Sequence, residues 1–109
     1  MRLSNGITTD DIQKQAEGQY KLGSDMDQEI VAKFFTPWSN WTWYLMNKSP
    51  DTDYCWGIVR GMALEMGSFS IDELENIAGP LGLTIERDEH FTPIKAKALW
   101  EELSEKENA

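Results

Sequence analysis

Residues 30–69 constrain this chain more than any other part. They hold four of its five tryptophans, and their three acids balance three bases, while both flanks are strongly acidic. Within that stretch the apolar residues alternate. Trp41, Trp43 and Leu45 fall on one phase, and Thr42, Tyr44 and Met46 on the other. A period of two with large rings and β-branched residues predicts strands rather than helix. Ile30 to Phe35 reads as a strand that stops at Thr36-Pro37, and Tyr54 to Arg60 and Ala63 to Phe69 as two more. The turn formers of Asn47–Asp53 read as the link between the second and third. Four strands joined by short links predict an antiparallel meander.

The flanks carry helix signals. A first helix is expected from Thr8 or Thr9, with Thr8 and Asp11 set like a capping box and Ile12, Ala16 and Tyr20 as a thin apolar stripe. Leu22-Gly23-Ser24 should end it. Ser70-Ile71-Asp72-Glu73 is a second capping box, with Ile71, Leu74, Ile77 and Ala78 as the buried stripe and Gly79-Pro80 as the stop. Leu83 to Arg87 is compatible with a short fifth strand. Thr92-Pro93 should open a last helix, in which Ala96, Leu99, Trp100 and Leu103 form the apolar face. The expected class is α+β: an antiparallel meander of four to five strands with helices packed on one side. At 109 residues the chain reads as a single domain. Its parts are an N-terminal helix and linker at 1–29, the meander at 30–69, and a helix, short strand and C-terminal helix at 70–109. Phe34, Trp43, Trp56, Ile58, Leu74 and Leu99 are the expected core.

Charge narrows the partners. Nineteen acids against ten bases give a net charge of −9, which disfavours nucleic acid and anionic membranes, both of which call for basic patches. There is no apolar run of membrane-spanning length, and the opening MRLSNGITTDD lacks a signal peptide's apolar stretch, so a cytoplasmic location is expected. One cysteine and one histidine cannot close a tetrahedral metal site without carboxylates, so neither metal nor cofactor is expected.

Three chemical readings of the polar residues compete. Cys55 could serve as a nucleophile if the fold brought His90 to it, although a strand cysteine between Tyr54 and Trp56 is more usually a buried, inert thiol. Glu65, Glu86 and Asp88 could act as paired carboxylates, or could join Arg60 and Arg87 in a surface ion-pair network. The tryptophans could stack single-stranded nucleic acid, but few cations stand near them. The favoured reading is none of these. It is a non-enzymatic protein that meets a basic protein surface, with Trp38, Trp41, Arg60, Glu86, Arg87, Asp88, Glu101, Glu102 and Glu105 as candidate binding residues and no catalytic residue assigned. Trp38 and Trp41, at the turn after Pro37, are better candidates for exposure than the mid-strand Trp43 and Trp56. Oligomeric state is not legible.

The run Lys33-Phe34-Phe35-Thr36-Pro37, followed by Ser39-Asn40-Trp41-Thr42-Trp43-Tyr44, carries a resemblance. With Gly57-Ile58-Val59, Glu65 to Ser70, Glu73-Leu74 and Gly82 to Asp88, it resembles the bacterial family called domain of unknown function 2958 over about residues 30–95. The chain departs from that pattern at Thr84, where the family usually has proline, and at Asn47–Asp53, where a longer acidic hairpin often stands. The resemblance implies a small protein carried on plasmids, integrative elements or phages. Small acidic proteins in that setting often look like inhibitors or decoys of host machinery, and by that analogy of context, not of sequence, such a role is expected here. The resemblance transfers no catalytic residue.

Overall fold

Strand β3 (Thr42–Lys48) is the spine of the molecule, because both phases of its alternation are buried from Trp43 to Lys48. The computed structural model describes residues 6–107. Met1–Asn5 and the last two residues of the charged tail lie outside them. β3 is flanked by β2 (Ala32–Phe35) and β4 (Tyr54–Arg60), and the sheet is completed by β5 (Leu64–Ser70) and β6 (Glu86–Arg87). The order is β5-β4-β3-β2-β6, and every pairing is antiparallel. The α+β class and the meander are therefore as the alternation implies.

The helices, however, cover both faces rather than one. Trp43 and Leu45 pack with Phe34 and Cys55 against Ala16 of α1 (Asp10–Gly18) and Ile71 and Leu74 of α2 (Ile71–Glu75). Tyr44 and Met46 pack with Ile58 against Ala96, Leu99 and Leu103 of α3 (Ala96–Glu107). A strand apolar on both phases exposes two surfaces that must leave water, and one layer of helices can cover only one of them.

Several boundaries move for local reasons. Thr9, not Thr8, caps α1, accepting from the Ile12 amide at 3.2 Å. Thr8 is buried, and its hydroxyl accepts from Gln13 at 2.8 Å. Tyr20 leaves the stripe, because the chain tightens into a 3-10 turn at Tyr20–Leu22 and exposes it. Ile30 belongs to β1 (Glu29–Ile30), which pairs with β7 (Ile94–Lys95). That ribbon draws the Ala96 and Lys97 amides onto the carbonyls of Gln28 and Met26 at 2.8 and 3.1 Å, so α3 starts after Lys95 rather than at Pro93. α2 stops at Glu75, capped by Asn76, which leaves Ile77 and Ala78 exposed rather than buried.

Asn47, Lys48 and Ser49 are buried and not part of a surface link. Asn47 Nδ2 donates to the Gly23 carbonyl at 2.8 Å and to Gln28 Oε1 at 2.9 Å. Lys48 Nζ donates to the carbonyls of Ser49 and Thr52 at 3.0 and 2.8 Å. Partners of this kind let polar side chains remain in a strand that packs on both sides.

One turn is strained. After α2 the chain reverses at Pro80-Leu81-Gly82-Leu83, closed by the Leu83 amide on the Pro80 carbonyl at 3.0 Å and the Gly79 amide on the Leu83 carbonyl at 2.8 Å. Leu81 has φ 56° and ψ 28°, and Gly82 has φ 77°, the values of a type I′ turn. Glycine adopts these angles freely, whereas a leucine there costs about 1–2 kcal/mol. Leu81 is 99% exposed, so no packing within the chain offsets the cost.

A candidate binding cleft at the tryptophan end of the sheet

The turn from β2 into β3 places two tryptophans in different surroundings. The Thr36 amide donates to the Trp41 carbonyl at 3.1 Å, and the Trp41 amide donates back to Thr36 Oγ1 at 3.3 Å. The hydroxyls of Thr36 and Ser39 are hydrogen-bonded across the turn. Trp38 is thereby swung onto Gly79 and packs, half-buried, against the core on the α1/α2 face. Of the two candidates for exposure, Trp38 is therefore the one that the core holds. Trp41 is 41% exposed and stacked on Trp43 at 5.9 Å and 27°. Its ring lies over Gly61, where an added Cβ would come within 2.3 Å of it.

Trp41 stands at the rim of an open cleft of about 870 Å³. By register, Lys33, Phe35, Thr42, Arg60 and Glu86 share the sheet face that also carries Tyr44 and Ile58, and they form the floor. The pairing of β6 with β2 brings Arg87, Asp88, Glu89 and His90 to one wall, and Glu107 at the end of α3 closes the other. Each cation has a carboxylate in reach. Lys33 lies 3.7 Å from Asp88, Arg60 3.0 Å from Glu107 and Arg87 3.6 Å from Glu89. Arg87 also donates to the Ile7 carbonyl at 2.8 Å, which ties the segment before α1 to β6. Such partly exposed pairs contribute at most about 1 kcal/mol each, so they order the cleft without locking it.

Tyr44 lies beneath this floor. Lys33 Nζ stands 5.9 Å from its ring centroid, a cation–π distance, and Phe91 lies 6.3 Å away. Burial raises the Tyr44 phenol above its ordinary value of 10; Arg60 opposes the shift, and the carboxylates of Glu102 and Asp88 add to it. A proton held more tightly in the folded state stabilises the fold fully below pH 10 and less as pH climbs through the raised value. Tyr44→Phe should therefore flatten the loss of stability as pH climbs above 10, measured by urea unfolding at fixed pH.

The cleft gathers Trp41, Arg60, Glu86, Arg87 and Asp88 from the residues expected to act together, and adds Lys33, His90 and Glu107. It does not gather Trp38. Glu101, Glu102 and Glu105 are exposed on α3 outside its lining. Cys55 is wholly buried at the far end of β4, its thiol on the Asp53 carbonyl at 3.7 Å, so the fold does not bring it to His90. Glu65 sits on edge strand β5, and Glu86 on the opposite edge strand β6. Four strand spacings separate them, roughly 19 Å, so the three carboxylates form no single acid–base set. Among the described residues, no group of three or more His, Cys, Asp or Glu side chains converges for a metal ion. No helix there is long and apolar enough to cross a membrane.

Sequence reasoning missed Met62, which is 97% exposed beside Trp41 at the β4–β5 turn. Its only signal was the preceding glycine.

The family model for proteins of unknown function named DUF2958 matches residues 6–109. The chain belongs to the DUF2958 family. The match extends well beyond the segment that carries the resemblance, taking in α1 and all of α3, so Glu107, which closes one wall of the cleft, lies within the matched residues. No curated protein and no solved structure matches the chain.

Proposed function

We propose that this DUF2958 protein is a non-enzymatic binding protein that meets the basic surface of another protein. In the mobile-element setting that the family resemblance implies, it acts as an inhibitor or decoy of a host protein. The observation that carries the reading is the exposure of both Met62 and Trp41 at the cleft rim, on a chain of net charge −9. Large apolar side chains held in water on a small chain favour a partner that covers them. Carboxylates at the rim steer a basic partner in and fix its orientation. On α3, Glu101, Glu102 and Glu105 lie within one or two turns of each other and add to that field.

The reading predicts a division of labour. Trp41→Ala with Met62→Ala should speed dissociation of the partner. Glu101→Gln, Glu102→Gln and Glu105→Gln together should slow association and reduce its dependence on salt, with little change in dissociation. A pull-down from a bacterial lysate supplies the partner, and stopped-flow binding at two salt concentrations measures the rates. If wild type recovers nothing basic, or both variants bind the recovered partner as wild type does, the reading fails.

A further inference from the structure

The Gly79–Leu83 hairpin is constructed to hold one side chain outward. Pro80 fixes its own φ, Gly82 supplies the second left-handed position, and Gly79 leaves room for the Trp38 ring, which an added Cβ would approach within 2.6 Å. Trp38 is itself seated on the core. The product of this buttressing is a strained leucine, almost wholly in water, at a turn where Asn-Gly would sit without strain. Strain that the surrounding structure maintains and internal packing does not repay points to a use outside the chain.

Charge says what kind of partner fits. From Ser70 to Ile85 the chain has three carboxylates, Asp72, Glu73 and Glu75, and no lysine or arginine. An apolar knob on an anionic segment suits an apolar socket rimmed by cations. An anionic lipid surface or a second copy of this acidic chain would meet like charge. We infer that Leu81 is an anchor residue that inserts into an apolar, Lys/Arg-rimmed socket on the partner protein, with the Gly79–Leu83 hairpin as its rigid mount. The inference rests on the binding reading above and adds a second contact point to it.

Two measurements on the full chain test it. Leu81→Asn should raise the melting temperature by about 4 °C or more, since the strain goes and no packing is lost. An unchanged or lower melting temperature means that Leu81 serves the fold, and overturns the inference. Separately, Leu81→benzoylphenylalanine and Met62→benzoylphenylalanine are photolysed in a bacterial lysate. Support is an adduct from position 81 mapped to an apolar depression bordered by Lys or Arg on another protein. Wild-type chain should compete it away, and Leu81→Asn about thirtyfold less well. Equal competition by both chains, an adduct with a second copy, or Leu81-dependent sedimentation with phosphatidylglycerol vesicles overturns the inference. An adduct from position 62 with none from position 81 removes the anchor and leaves the binding reading standing. No adduct from either position removes both.

Discussion

Gly57→Ala should unfold this protein or cost it more than about 4 kcal/mol, a loss at the far end of single-substitution effects. The pairing of β3 with β4 slips between Leu45 and Asn47, a bulge that turns the Tyr44 carbonyl over Gly57. A Cβ built on Gly57 would stand 1.9 Å from that oxygen. The obstacle is main chain in the centre of the sheet, so no rotamer change relieves it. Gly67 is the matched control. It lies directly opposite Gly57 on β5, yet a Cβ there meets nothing within 4 Å. Gly67→Ala should leave the urea midpoint unchanged or raise it slightly, because a strand-interior glycine is entropically weak. If both substitutions are tolerated, the bulge is not where the structure places it.

The bulge also marks a limit on what the sequence made legible. The alternation of Trp41 to Met46 announced β3, and both of its phases were already rich in large apolar groups. That pattern implied two covered faces, yet the flanking helix signals say nothing about which side a helix takes, and helices on one side is the simpler expectation. The cleft was legible only in part. Arg60, Glu86, Arg87 and Asp88 could be named as charged residues capable of pairing. The meeting of Asp88 with Lys33 depends on a two-residue strand, β6, finding the free edge of β2, and a pairing that short leaves no period to read, while Arg60 meets Glu107 only because α3 packs on that face of the sheet. Trp38 and Trp41 illustrate the same limit at closer range. Both follow Pro37 in one turn, yet one ends half-buried beside Gly79 and the other exposed over Gly61, a difference that ring type does not announce. At Gly79-Pro80-Leu81-Gly82 the grammar of a helix stop explained the prolyl and glycyl residues fully. Nothing local required the residue between them to be left-handed. The contact of Trp38 with Gly79, made across 41 residues of sequence, completes the mount for that turn.

Phe34→Ala should cost about 3 to 5 kcal/mol, the usual range for emptying a fully buried aromatic site. Phe34 has no exposed surface and pairs with Trp43 on one side and Arg87 on the other. Its ring belongs to the face that α1 and α2 cover, along with Trp43, Leu45, Ile71 and Leu74. The neighbours Lys33 and Phe35 point to the opposite face and floor the cleft. One substitution therefore empties the core on one face while removing the support for β6 on the edge of β2. Two consequences should separate. Stability, read from chemical unfolding, should fall by the cavity cost. Amide exchange should accelerate at Asp88, whose amide is held by the Lys33 carbonyl at 2.9 Å, more than at Gly57 and Ile58 in the sheet centre. A uniform rise in exchange across all five strands would show β6 to be part of the same cooperative unit as β3 and β4. A rise confined to residues 85–91 would make the cleft wall a separately opening element. In that case partner affinity should fall further in Phe34→Ala than the population of unfolded chain accounts for, because the wall that carries Arg87 and Asp88 would be open in part of the folded population.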